Sequence, residues 1–156
     1  MIYILAGAPR VGKTIIANDL AAKLGVELIS TDPLCERVKN TLSEPERRRL
    51  FPMTNFSFNP EENTMSVEER IEQQFRETES LQPEIEKLIQ KADQSHGDSV
   101  FEGVHFRPAF IRELQKAHEI KALFLLATDF SLALESYLNN SSEQDWLRDG
   151  VAGVGS

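Results

Sequence analysis

Gly7-Ala8-Pro9-Arg10-Val11-Gly12-Lys13-Thr14 fits the pattern G-x-x-x-x-G-K-[ST] without a mismatch. It directly follows an apolar run, Ile2-Tyr3-Ile4-Leu5-Ala6, and runs into a helical pattern from Thr14 to Leu24. That context is the one the motif requires: strand, loop, helix. Glycines let the backbone curl so that successive N–H groups point inward at an anion, and the helix N-terminus adds partial positive charge. The stretch therefore reads as a nucleotide-binding loop. Its expected contacts are Gly7, Ala8, Pro9, Arg10, Val11, Gly12, Lys13, Thr14 and Ile15. Lys13 would reach the β- and γ-phosphates, and the Thr14 hydroxyl would ligate Mg²⁺. Arg10 either leans over the nucleotide or is simply exposed.

Outward from this loop, apolar runs and helical patterns alternate. Val26–Ser30, Ser99–Gly103 and Ile120–Ala127 read as further strands. Ile2–Ala6, apolar at every position, suits a strand covered on both faces. Helices are expected over Thr14–Leu24, with Ile16, Leu20 and Leu24 on one face, and over Leu34–Thr41, with Thr31 or Asp32 as N-cap. Ser66 with Glu69 makes a capping box, opening a helix to about Leu81 with Val67, Ile71 and Phe75 on one face. Pro83 starts or kinks another, burying Ile85, Leu88, Ile89 and Ala92. Pro108 suits the first turn of a helix to about Ala117, and Phe130–Leu138 reads as one more. Between Leu42 and Thr64, Pro45, Pro52 and Pro60 interrupt any long element, although Phe51, Met53, Phe56 and Phe58 need burial.

Strand–helix alternation means βαβ units and a parallel sheet, with ligands at the carboxyl ends of the strands. Each strand ends in chemistry: the loop after the first, Thr31-Asp32 after the second, Glu102-Gly103 after the third, Thr128-Asp129 after the fourth. The 156 residues suit one domain, 1–149, with 42–95 as a helical substrate-covering insertion and 150–156 as a flexible tail. A net charge of −8 argues against nonspecific binding to nucleic acid or an anionic membrane. No apolar run has the length of a membrane span, and nothing resembles a signal peptide. The single cysteine, Cys35, rules out an internal disulfide and suits a reducing compartment, so a cytoplasmic location is expected. Oligomeric state is not legible.

This arrangement, from Met1 to about Leu138, resembles the P-loop small-molecule kinases, the group of adenylate, shikimate and gluconate kinases. Ser30-Thr31-Asp32 before a helix, and Phe101-Glu102-Gly103-Val104-His105 with Pro108, look most similar to 2-phosphoglycerate kinase-like proteins. The resemblance implies a three-layer α/β/α P-loop NTPase fold, strand order 2-3-1-4, ATP with Mg²⁺, and a small-molecule substrate. It implies catalytic roles for Lys13, Asp32 and Arg107, metal contacts from Thr14 and Glu102, and substrate contacts from Asp32, Arg37, Glu102, Gly103 and His105.

Each of these residues also has a plainer reading. Asp32 can hold a cation or take a proton from an acceptor hydroxyl, and can equally cap its helix. Glu102 can orient Mg²⁺ through water or cap a local turn. Arg107 has the planar fork that suits a phosphate or carboxylate. His105 faces substrate or is a hydrogen-bonded structural histidine. Arg37 faces substrate or solvent, and Arg47-Arg48-Arg49 covers an acidic substrate or lies on a solvated helix face. His96 and His118 read as turn and surface residues, and no cluster has metal-ligand spacing. After Asp129 the only arginine is Arg148, where the group has lid arginines, and Trp146 packs or stacks on a base. The reading is an ATP-dependent phosphotransferase; the alternative is a nucleotide-binding protein with weak or no transfer.

Overall fold

The computed structural model describes residues 1–52, 66–129 and 131. Four strands form one parallel sheet: β1 (Ile2–Gly7), β2 (Leu28–Ser30), β3 (Ser99–Gly103) and β4 (Ile120–Leu125). Their order is β2-β3-β1-β4. Crossing from β1 to β2 runs one way along the sheet, whereas β2 to β3 and β3 to β4 run back. Right-handed crossovers then send the connecting helices to opposite faces, which makes three layers.

One face carries α1 (Lys13–Leu24), and the other carries α2 (Thr31–Thr41), α4 (Val67–Gln94) and α5 (Pro108–Leu114). β1 lies between β3 and β4, with Ile4 paired to Phe101 and Ala122. Ile2, Ile4 and Ala6 enter the larger core with Leu34, Leu81, Ile85, Ile89 and Phe110, while Leu5 and Val100 meet Ala17 and Ala21. The apolar run is thus a strand covered on both faces, as its composition requires.

Several elements differ from their sequence pattern. α1 buries Ala17 and Ala21 rather than Ile16, which is 43% exposed. The small residues face the sheet and bring the helix close to it. β2 is shorter than expected because Gly25 takes a left-handed conformation and the Val26 amide returns to the Ala21 carbonyl. β4 ends at Leu125, and α5 at Leu114.

Pro83 does not divide α4, which is one helix of 28 residues. Leu81, Ile85 and Ile89, each almost fully buried, hold it to the core on either side of the proline, so packing outweighs one lost hydrogen bond. Toward its N-terminus the Ile71–Phe75 face is open, at 47% and 42% exposure. α3 (Glu44–Leu50), for which the sequence reading set no bounds, starts at a Ser43/Glu46 capping box with proline in its first turn. The Ser43 amide donates to Glu46 Oε2 at 2.9 Å. The expected helix Phe130–Leu138, the tail, Trp146, Arg148 and the apolar positions Met53, Phe56 and Phe58 lie outside the described residues. No helix among the described residues is long and apolar enough to cross a membrane.

Candidate active site

The loop between β1 and α1 takes its shape from two left-handed residues, Arg10 (φ 61°) and Gly12 (φ 86°). Gly12 is also the N-cap of α1, and it has no side chain to offer. The amides opening α1 therefore keep no side-chain cap and remain available to an anion, which is the physical basis of such a cradle. Lys13 is buried, and its Nζ donates to the Ala8 carbonyl at 2.6 Å. The ammonium is thus folded across its own loop. Thr14 and Ile15 are exposed at the start of α1.

Three strand ends converge on Lys13. Burial pushes its pKa below the ordinary lysine value, while the Glu102 and Asp32 carboxylates pull it back up. Glu102 is 4% exposed and stands in register with Leu5 of β1 and Ser30 of β2. Among the described residues its carboxylate makes no hydrogen bond, so Lys13 supplies the compensating charge that a buried carboxylate needs.

Asp32 is exposed, in the first turn of α2. It is not the N-cap: the helix starts at Thr31, ahead of the Leu34 start read from the sequence, and Ser30 caps it, its Oγ accepting from the Asp32 amide at 3.4 Å. The Asp32 carboxylate is therefore released from capping.

His105 is 6% exposed, and its Nδ1 lies 2.8 Å from Thr31 Oγ1 in a hydrogen bond between two buried side chains. Burial, with a smaller push from the Lys13 charge, lowers its pKa to about 4. It is a neutral imidazole throughout the physiological range. Gly103 (φ 156°) sits against the same threonine: a Cβ there would fall 1.8 Å from Thr31 Oγ1. Only glycine allows that approach.

Arg107 Nη1 donates to Glu79 of α4 at 3.1 Å, and its guanidinium carbon lies 3.8 Å from the centroid of the Phe75 ring. Arg37 is exposed on α2. Within the arginine run, Arg48 pairs with Glu44 on the exposed side of α3. Lys13, Asp32, Glu102, Gly103 and His105 thus come together, whereas Arg107 is held by α4. Thr31, Phe75 and Glu79 were missed as site residues. Thr31 had a visible signal, a hydroxyl at a strand end beside Asp32. Phe75 and Glu79 had none, because only packing brings α4 to the end of β3.

Mg²⁺ would find hard oxygen donors here, the Thr14 hydroxyl and the Asp32 and Glu102 carboxylates, which suit that ion. Among the described residues no group of three or more His, Cys, Asp or Glu could hold a metal alone. Two carboxylates and a hydroxyl match a metal that shares its coordination with nucleotide phosphates.

The chain is 29% identical over 155 residues to 2-phosphoglycerate kinase of Methanothermobacter thermautotrophicus. That match covers 95% of this chain and 49% of the relative, so the chain spans about half the relative's length. Among solved structures it resembles a candidate kinase from Chloroflexus aurantiacus, with a TM-score of 0.55, 17% identity, and 95% of this chain and 73% of that one covered. It also resembles a sugar kinase from Janibacter sp. HTCC2649, with a TM-score of 0.56, 14% identity, and 99% and 78% covered. No family model matches the sequence. The likeness to these two solved structures is one of fold.

Proposed function

We propose that this chain is an ATP-dependent phosphotransferase that moves the γ-phosphoryl group to a hydroxyl or acid of a small metabolite. The observation that carries the reading is the convergence of Lys13, Asp32 and Glu102 at three strand ends, beside an uncapped helix N-terminus. Such a site offers positive charge where triphosphate charge concentrates, and carboxylates where an acceptor and a cation must be held. The similarity to 2-phosphoglycerate kinase supports the class and supplies the first acceptor to try.

In this reading the loop amides and Lys13 bind the β- and γ-phosphates. Lys13 leaves the Ala8 carbonyl for them, exchanging a neutral acceptor for a charged one. Thr14 and Glu102 would hold Mg²⁺, with Asp32 near, and the ion when bound would supply neutralising charge for the phosphate oxygens. Asp32 orients the acceptor hydroxyl and takes its proton as the oxygen bonds to the γ-phosphorus and the bond to the departing ADP oxygen breaks. Arg107 and Arg37 supply cationic groups for an anionic acceptor, and Gly103 lets it approach the backbone. α3 and α4, in the 42–95 segment, form the substrate-covering side.

A second reading, a nucleotide-binding protein with weak transfer, is favoured by one observation: Arg107 is already engaged by Glu79 and Phe75. Titration with ATP and Mg²⁺ tests what both share. The wild type binds, and Lys13→Ala loses at least about tenfold in affinity, the worth of a charge-assisted hydrogen bond. No binding by the wild type removes both readings. Screening ATP consumption over 2-phosphoglycerate, other phosphorylated acids, sugars and nucleosides then separates them. Tight binding with turnover no faster than the water background leaves only the second.

A further inference from the structure

β2 and β3 pair in parallel up to Ser30 and Glu102, and their chains then diverge: one enters α2, the other turns toward α5. Both carboxylates that face Lys13 lie at this fork, Glu102 on the last ladder pair and Asp32 two residues past Ser30. Beyond the ladder, the side chain of Thr31 crosses the fork. It is 2% exposed, and its hydroxyl meets His105 Nδ1 at 2.8 Å. Its hydroxyl is not spent on capping α2, because Ser30 does that. Gly103 completes the contact: a Cβ on it would lie 2.9 Å from Thr31 Cβ and closer still to Oγ1. Thr31 therefore rests on bare backbone on one side and on an imidazole on the other.

We propose that Thr31 and His105 are positioning residues, a buried pin that fixes the first turn of α2 to the end of β3 and so sets where Asp32 stands relative to Glu102 and Lys13. The inference deepens the phosphotransferase reading and rests on it for its kinetic consequence. Neither residue needs to touch a substrate. The imidazole acts as an uncharged hydrogen-bonding group, in keeping with its burial and with the Lys13 charge nearby. A misplacement of the Asp32 carboxylate by about 1 Å is enough to cost transfer heavily while leaving the phosphate grip alone, because that grip is built on β1 and α1.

The experiment uses the whole chain and two readouts. Backbone amide exchange, resolved by peptide, is compared for wild type, Thr31→Val, Thr31→Ser, His105→Phe and His105→Asn. In Thr31→Val and His105→Phe the amides of 34–36 exchange faster while those of 13–24 keep wild-type protection; Thr31→Ser and His105→Asn, which retain a hydrogen-bonding group, recover part of it. In parallel, ATP affinity stays within about twofold, and kcat for 2-phosphoglycerate-dependent ATP consumption drops about ten- to a hundredfold in the two disrupted variants. Wild-type exchange at 34–36 in Thr31→Val overturns the pin. So does a uniform rise in exchange throughout the chain, which marks a plain loss of stability. If Thr31→Val fails to fold, His105→Asn against His105→Phe decides by the same exchange comparison. If the wild type consumes no ATP with any acceptor, the phosphotransferase reading falls on its own, and the exchange data still decide the pin.

Discussion

Gly103 shows how much of the site depends on single atoms. Its positive φ and the 1.8 Å separation between a hypothetical Cβ and Thr31 Oγ1 leave no room for alanine, since the nearest neighbour includes a buried side chain against backbone. Gly103→Ala is expected to destabilise the fold by about 3 kcal/mol or more, read from denaturant midpoints, because strain and overlap add. A variant of wild-type stability would mean that the β3–α2 contact is looser than described. His105 gives a pH dependence of defined sign. Its pKa is lowered from 6.5 to about 4 in the fold, so the unfolded chain binds the proton more readily. The associated stability is complete above about pH 6.5 and is lost as pH falls toward 4. From about pH 7.5 to about pH 5 the loss amounts to about 2 kcal/mol. Chemical denaturation at the two pH values checks it: His105→Gln should lose less on acidification than wild type, and an equal loss would contradict the assignment. The sequence put Gly103 and His105 in the site but could not pair His105 with Thr31. That bond joins residues 74 positions apart, and no periodicity encodes it.

At the scale of elements, the turn chemistry was legible wherever a cap or a strict pattern stood alone. The Ser66/Glu69 box opens α4 as its residues require, the Ser66 amide donating to Glu69 Oε2 at 2.7 Å. Ser43-x-x-Glu46 carries the same signal, yet it sits among prolines that read as breakers, and α3 was given no bounds for that reason. Pro83 misled in the same way. A proline ordinarily costs a helix interior about 3 kcal/mol, and in α4 that cost is met by the buried row Leu81, Ile85 and Ile89. Pro83→Ala is therefore expected to raise stability by about 1–3 kcal/mol, seen as a higher thermal midpoint with unchanged helix content. A lower midpoint would show that α4 is shaped around the proline. α2 carries the functional lesson. Its N-cap is Ser30 rather than Thr31 or Asp32, so neither side chain is spent on capping and Asp32 is left to face Lys13.

Across the whole molecule, a chain of net charge −8 that is proposed to bind a nucleotide would have to hold the anion by local charge against its own field. The convergence of the loop, the Lys13 ammonium and a helix N-terminus on one spot is the arrangement that allows this. The loop was legible because its chemistry is contiguous: eight residues and the strand and helix around them. The strand order and the two-faced sheet followed from the alternation of elements and the family resemblance, and the structure has both. The contacts around the proposed acceptor side were not legible, because the Arg107–Glu79–Phe75 contact joins α4 to the end of β3 and exists only in the folded chain. The proposed phosphoryl transfer is read out by acceptor-dependent release of ADP, measured for wild type and Asp32→Asn with ATP affinity checked in both. 2-Phosphoglycerate or a related anionic metabolite is expected to raise ADP release above the water background in the wild type. Asp32→Asn should then retain ATP affinity and lose about a hundredfold in that rate. Tight ATP binding with no acceptor effect in the wild type, or full transfer by Asp32→Asn, would contradict it.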